Sequence, residues 1–294
     1  MRKRLLAAAA ACCLLLGGCV FHTASTGSDG AAVYRIQTGG EESGFVLTAE
    51  YLPIAQGETE LTVIVRGLNS PSGSQGLKRA FPEGVEIHGC TVEKGRAQVT
   101  VSESYGELEG TDRVLANYAI AYSLLRLDQV LAVDIWQGTQ LVEYGLTADG
   151  AVLADTGHTP CQRIVKLFVP DFEQAGLVSQ TALLTTDGSA EIWELAAREL
   201  LSVLDSLPEA TSLRSIQCED GLCTVNLSQE IYTTEPEHGY AAKLILGAFV
   251  NTLCYLPEVE QVTIQVGGTP IASYGSYIPD WPMRYDASLL CYPA

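Results

Sequence analysis

Nine cysteines, four histidines and a recurring pair of serine and carboxylate are the reactive residues of this 294-residue chain. His22, His88, His158 and His238 stand far apart, and none falls at the spacing of a helical metal motif or a local catalytic group. The sequence contains no Gly-x-Ser-x-Gly elbow, Ser-x-x-Lys, His-Glu-x-x-His or phosphate-cradling glycine loop. Members of a triad are often distant in sequence, so this excludes local motifs only. Ser102 is followed by Glu103, and Ser228 by Glu230, which leaves a nucleophile reading open. A serine that ends a strand and bonds a turn explains both more simply. No catalytic residue is assigned and no cofactor is expected. No cysteine spacing matches a zinc site, so no metal is expected either.

The cysteines divide by position. Cys12 and Cys13 belong to an N-terminal leader and Cys19 ends it. Cys90, Cys161, Cys218, Cys223, Cys254 and Cys291 remain, and six cysteines allow fifteen pairings that the sequence does not choose among. One pair is favoured by its spacing. Cys218 and Cys223 flank Glu-Asp-Gly-Leu, so a hairpin there would bring the two side chains together and permit a disulfide. The alternative is buried thiols, since cysteine packs as a small hydrophobe. Cys254 reads as a core residue.

The leader has its own chemistry. Arg2, Lys3 and Arg4 precede an apolar run over residues 5–16 that is too short to span a bilayer comfortably. This is the pattern of a secretory signal over residues 1–18. Leu16-Gly17-Gly18-Cys19 resembles a bacterial lipobox, which implies acyl chains on the Cys19 thiol and stable anchoring. An ordinary signal peptide cut nearby is the alternative. Val20 is not an aspartate and carries no retention signal. Residues 19–32, rich in Ser, Thr, Gly and Ala, read as a tether with a reach of roughly 20 Å. The expected location is extracytoplasmic, lipid-anchored to the outer face of the cytoplasmic membrane.

Charge narrows the partners. The formal net charge is −18, and three of the 17 basic residues lie in the leader. The chain beyond it therefore sets 14 basic against 35 acidic residues, a net charge of −21. Such a field repels nucleic acid and anionic headgroups, so no nucleic-acid partner is expected and membrane contact falls to the lipid. Solubility is the plain purpose of the remaining charge.

The elements that position these residues occur twice. Gly221, Val225 and Ser228 follow Gly95, Val99 and Ser102 by 126 positions (221 − 95). Val259, Val262, Ile264 and Gly267 follow Val130, Val133, Ile135 and Gly138 by 129 (259 − 130). Each copy opens on a strand, Val33 to Ile36 in the first and Val165 to Val169 in the second, 131 or 132 positions on. Ile192, Leu195, Ala196, Leu200, Val203 and Leu204 mark a helix over residues 189–207, ended by Pro208. Its counterpart, residues 58–68, contains Leu61-Thr-Val-Ile-Val65 and favours a strand by local propensity. The internal alignment favours a helix there, and the helix is the expectation adopted. Hairpins follow, residues 85–92 with 96–102 and 212–218 with 222–227, turning at Lys94-Gly95 and Asp220-Gly221. Helices over residues 111–127 and 235–256 come next, the second opening on a capping box, Thr234-Glu-Pro-Glu237. Leu115, Ala119, Ser123 and Leu127 line one face of the first. Leu244, Ala248, Thr252 and Leu256 do so in the second. Asn251 and Thr252 are placed to bond the adjacent hairpin or a partner, and internal packing is preferred. Strands over residues 130–136 and 259–266 close each unit. The order strand, helix, hairpin, helix, strand indicates an α+β fold: two tandem similar domains, each a small sheet with two helices on one face. The boundaries are 33–150 and 160–269, with a tail over 270–294.

Val225-Asn-Leu-Ser228, then Phe249-Val-Asn-Thr-Leu253, then Leu256-Pro-Glu-Val-Glu-Gln-Val262-Thr-Ile264 resembles the GerMN domain of sporulation and spore-germination lipoproteins. The likeness is weaker in the first copy, where Ala121-Tyr-Ser-Leu124 stands in the corresponding place and no proline follows Leu127. The resemblance implies a module similar to ring-building domains, a non-enzymatic scaffold or assembly factor, and partners among envelope or sporulation-complex proteins. Its alternative is a peptidoglycan- or carbohydrate-binding wall lipoprotein, or an accessory subunit of a wall hydrolase. The tail carries Tyr274, Tyr277, Trp281, Tyr285 and Tyr292. It reads as an irregular wrap on its own domain, or as a partner- or glycan-contact strip centred on Tyr277 and Trp281.

Overall fold

The computed structural model describes residues 30–38, 47–148, 161–186, 189–234, 236 and 238–292. The first unit begins with β1 (Ala31–Gln37) paired antiparallel to β2 (Leu47–Leu52). It continues through α1 (Glu60–Asn69) and the short β3 (Leu77–Lys78), which pairs with the end of β1. Then come β4 (Ile87–Glu93), β5 (Arg96–Val101), α2 (Gly110–Leu125), β6 (Ala132–Gln137) and β7 (Gln140–Leu146). The second unit repeats this as β8 (Cys161–Asp171), β9 (Gly176–Thr186), α3 (Ile192–Val203), β10 (Leu213–Glu219), β11 (Leu222–Leu227), α4 (Gly239–Cys254), β12 (Gln261–Val266) and β13 (Thr269–Pro270).

Two similar α+β domains are present, and each carries two sheets where one was expected. The four-stranded sheets run β4-β5-β6-β7 and β10-β11-β12-β13, with β6 parallel to β5 and β12 parallel to β11. The opening strands form separate sheets, β2-β1-β3 and β8-β9, and the helices of each domain pack against both of its sheets. The order is therefore hairpin, helix, hairpin, helix, strand, strand. The second strand of each opening pair, β2 or β9, is not expected from the sequence because its alternation is weak, mixing polar residues such as Thr48, Glu50, Ser179 and Gln180.

Local chemistry explains the shared parts. On β5, Ala97, Val99 and Val101 are buried while Arg96, Gln98 and Thr100 face outward, the two-residue period of a half-covered sheet. Lys94 and Gly95 both take positive φ, 48° and 77°, and Asp220 and Gly221 repeat this at 49° and 78°. Two consecutive left-handed residues make the tight hairpin turn whose twist matches the flanking strands. The hydroxyl of Ser102 accepts from the Glu86 N–H at 3.0 Å, and that of Ser228 accepts from the Ser212 N–H at 3.0 Å. Both serines thus close the open end of their hairpins, and both hydroxyls are already engaged.

Helix α1 forms despite its β-branched residues. Thr59 caps it by accepting from the Thr62 N–H, and Val63, Ile64, Gly67 and Leu68 are buried on one face. At Gly67 a methyl group would stand 2.6 Å from Leu52 Cδ1 and 2.7 Å from Val33 Cγ2, so the helix lies directly on the β1–β2 pair. Burial there outweighs the helix propensity cost of Val and Ile, which is a few tenths of a kcal/mol per residue. The capping box expected for the last helix is not used. Helix α4 starts at Gly239 with His238 at its N-cap and no side-chain cap bond. Glu235 and Glu237 lie outside the described residues. Helix α3 ends at Val203, short of Pro208.

A second hydroxyl pair ties helix to hairpin. The Tyr34 N–H on β1 donates to Ser123 Oγ of α2 at 2.8 Å, and the Phe168 N–H on β8 donates to Thr252 Oγ1 of α4 at 2.9 Å. These bonds align β1 with β8 at an offset of 134 (168 − 34), a correction to the 131 or 132 read from apolar spelling. The first hairpin is further pinned by a buried ion pair. Arg35, 1% exposed, donates to Glu50 Oε2 and to the Ser70 carbonyl. Glu50 Oε1 collects the Ser72 and Ser74 hydroxyls and the Gly73 and Ser74 N–H groups.

Thr252→Val keeps the shape of the side chain and removes the acceptor for the buried Phe168 N–H. The expected loss is about 1–3 kcal/mol, the penalty of an unpaired buried donor. Chemical denaturation with unchanged m-value would show it; an unaltered midpoint would deny that the bond matters.

Candidate functional surfaces and the domain junction

Among the described residues, reactive groups do not converge. Among the described residues no group of three His, Cys, Asp or Glu side chains could hold a metal ion. His88 is exposed on β4 and His238 is exposed at the start of α4; His22 and His158 lie outside the described residues. Cys19 and the leader also lie outside them. No helix among the described residues is long and apolar enough to cross a membrane.

A buried polar arrangement lies where the two domains meet. Lys166 on β8 is completely buried. Its ammonium donates to the Leu125 carbonyl at 2.7 Å, the Leu127 carbonyl at 2.9 Å and Thr181 Oγ1 at 2.8 Å. Leu125 is the last residue of α2, where a helix leaves acceptors unpaired and carries partial negative charge, and Leu127 lies two residues beyond it in the following turn. A cation from the second domain therefore completes a helix of the first. Burial drives the Lys166 pKa down to about 7, against the pull of the Asp128 carboxylate, with Arg126 adding to the fall. Neighbouring contacts follow the same seam: the Thr181 N–H and Ser179 hydroxyl bond Asp128, and the Tyr255 hydroxyl donates to the Leu131 carbonyl. Ile164 of β8 joins the core of the first domain, while Leu131 packs against the core of the second.

Sequence alternation gave no warning of Lys166. In Val165-Lys166-Leu167-Phe168 a lysine between apolar residues reads as outward-facing, and it does point out of its own hairpin. The neighbouring helix end turns that outward face into an interior. Arg35, between Tyr34 and Ile36, was hidden from sequence reading in the same way.

The tail is less irregular than its composition suggests. Strand β13 pairs with β12 only at Val266 and Gln265, and the chain then leaves the sheet after Ile271. It returns at Met283, which bridges Val262 through bonds in both directions. In the first domain Leu146 of the unbroken β7 stands beside Val133, the counterpart of Val262. The tail is thus a closing strand interrupted by residues 272–282. Trp281 donates its indole N–H to the Ile271 carbonyl, and Tyr277 and Trp281 both pack in part against the domain's own core. Asn251 exchanges two bonds with Asp286, and Tyr285 meets Phe168 edge-on at 5.8 Å. Asn251 and Thr252 therefore serve packing within the chain.

In the second hairpin the register sets Cys218 opposite Cys223, with Cα atoms 4.0 Å apart and the sulfurs in bonding contact. Cys90, Cys254 and Cys291 are unpaired and partly covered, and burial raises the Cys254 thiol to about 11 and Cys90 to about 12.

Comparison with known proteins gives a consistent family. The family model described as "Sporulation and spore germination" (Germane) matches residues 32–140 and 162–272, one match on each domain. Among solved structures, the tandem GerMN domains of the sporulation protein GerM from Bacillus subtilis share 17% identity at a TM-score of 0.37, covering 90% of this chain and 99% of that one. The first GerMN domain of the same protein shares 17% identity at a TM-score of 0.30, covering 43% of this chain and 96% of that one. A candidate lipoprotein from Clostridium perfringens shares 17% identity at a TM-score of 0.27, covering 42% and 86%. The search of curated proteins finds no match.

Two measurements test these contacts. The folded pKa of Lys166 is depressed below its unfolded value near 10.4, so the unfolded chain binds the extra proton between the two. Its contribution to stability is then greatest at high pH and is lost as pH falls towards about 7. The stability difference between wild type and Lys166→Met should rise with pH from 7 to 9.5; a flat difference would contradict the burial effect. Alkylation of the unfolded, unreduced protein followed by peptide mass analysis should label Cys90, Cys254 and Cys291 and leave Cys218 and Cys223 blocked. Labelling of the latter two would rule out the bridge.

Proposed function

This chain belongs to the Germane family of sporulation and spore germination, and from that premise we propose that it is a non-enzymatic, membrane-anchored envelope lipoprotein acting as an assembly factor in one of those processes. The observation that carries the reading is the combination of two family matches with the lipobox-like Leu-Gly-Gly-Cys19 that precedes them. Acyl chains on Cys19 hold the protein to the outer face of the membrane, and residues 19–32 give reach. The paired domains then present their surfaces to envelope proteins together, because contacts of Lys166, Tyr255 and Asp128 join them. The engagement of Ser102 and Ser228 in hairpin bonds supports a non-enzymatic role, as does the scatter of the histidines. A net charge of −21 beyond the leader favours protein or wall partners over nucleic acid.

Fractionation tests the anchor and the role together. In an endospore-forming host lacking its own member of this family, wild-type chain should be recovered with membranes and restore heat-resistant spore counts. The Cys19→Ser chain should move to the soluble fraction and restore them poorly. A Cys19→Ser chain that stays membrane-bound removes the anchor. A wild-type chain that leaves spore counts unchanged removes the assembly role.

A further inference from the structure

Among the described residues two cations are buried, Arg35 and Lys166, and only Arg35 is bonded to a carboxylate. Its partner Glu50 lies 2.8 Å away within the same hairpin. Lys166 reaches three neutral oxygens instead, the Leu125 and Leu127 carbonyls of the first domain and the Thr181 hydroxyl of its own. The first domain has no such cation, because Ala32 stands at the place of Lys166 (166 − 134 = 32). The lysine therefore belongs to the joint and not to the shared fold.

The site suits the amine without its charge. A neutral amine donates two N–H groups, enough for the two carbonyls, and its lone pair can accept from the Thr181 hydroxyl 2.8 Å away. All three contacts survive, and no charge is taken out of water. The ammonium makes the same contacts but carries its charge into the interior with no bonded anion, which is costly. Two charged groups face it, both from the turn after α2. The Asp128 carboxylate favours the charge and the Arg126 guanidinium opposes it. Asp128 already accepts from the Thr181 N–H at 2.7 Å, and Glu60 at the start of α1 faces the same two groups. From β9 come the Ser179 and Thr181 hydroxyls, and on β8 the flanking residues are Val165 and Leu167. Tyr255, at the end of α4, spends its hydroxyl on the Leu131 carbonyl.

The joint has little else to hold it. Each domain has its own apolar core, and among the described residues only Ile164, Leu183 and Leu131 reach into the core of the neighbour. Each domain also closes its own strand-to-helix bond, at Ser123 or Thr252, without help from the other. With the joint open, the amine meets water and recovers its ordinary pKa near 10.4. With it closed, burial brings the value down to about 7. The closed form thus holds the proton more weakly. The ratio of closed to open falls about tenfold for each unit of pH between about 10 and 7, and levels off below that.

We propose that the joint between the two domains is a proton-linked latch: uptake of a proton at Lys166 loosens it and release tightens it, while both domains stay folded. The latch stands on the seam alone and does not depend on the lipid anchor or the assembly role.

Amide hydrogen exchange of the full chain in detergent tests the latch, each rate being taken relative to that of an unstructured chain at the same pH. The Thr181 N–H reports on the seam, and the Phe168 N–H, bonded to Thr252, reports on the second domain. Thr181 should be at least about tenfold less protected than Phe168. Its protection should fall about tenfold or more from pH 8.5 to pH 6.5. In Lys166→Met the fall should shrink to within about twofold, the histidines being common to both chains. In wild type the Lys166 Cε resonance should titrate near neutrality, a reading that needs no variant. Equal protection of Thr181 and Phe168 would overturn the latch, since the seam would then part only as the domain unfolds. Flat Thr181 protection in wild type, an equal fall in Lys166→Met, or a Lys166 resonance that titrates above pH 10 would overturn it as well.

Discussion

A strand that buries its backbone must find a partner for each N–H, and in both halves of this chain a helix supplies one. Ser123 and Thr252 each accept from the strand N–H at the centre of the opening hairpin. The bond fixes the height and rotation of the second helix on that hairpin. The same helix then carries β6 or β12 back, parallel to the middle strand of the four-stranded sheet. Once this bond is set, the two sheets of a domain have a single relative placement. The duplication survives at 126, 129 and 134 positions because the geometry tolerates insertions between these fixed points and not within them.

The two copies have parted at the places where they meet something else. The first hairpin locks internally, with Arg35 and Glu50 sealed beneath the loop of Ser72 and Ser74. The second hairpin faces outward and gives its buried cation to a helix of the neighbour. Burying an ammonium is costly, and it is tolerated here because three acceptors converge on it, one of them the Leu125 carbonyl at the end of a helix that would otherwise be short of a donor. A cation in that place makes the joint specific to one docking geometry. The open sheet faces have parted as well. Gly89 and Trp136 stand on one of them where Ser215 and Gln265 stand on the other.

Much of the fold was legible in the sequence. Period-two burial on β5 and β11, the glycine turns and the apolar stripes on α2 and α4 all follow from spacing. The helix at residues 60–69 was legible only through its copy, because Val63 and Ile64 by themselves favour a strand. Strands β2, β9 and β7 escaped notice since their exposed residues dilute the alternation, and pairing along an edge leaves no mark on composition. Buried Lys166 and Arg35 escaped for a different reason. Their burial is imposed by elements far away in the chain, which a local pattern does not contain.

The interrupted closing strand changes how the second domain ends. In the first domain the carbonyls at the end of α2 receive the next hairpin through Lys166. In the second domain Tyr285, Asp286 and Met283 already crowd the flank of α4 and β12, and Leu290 and Cys291 cover the edge of β9 at Leu177. The tail thus gives the second domain a covered flank, where the first domain is covered by its neighbour's hairpin.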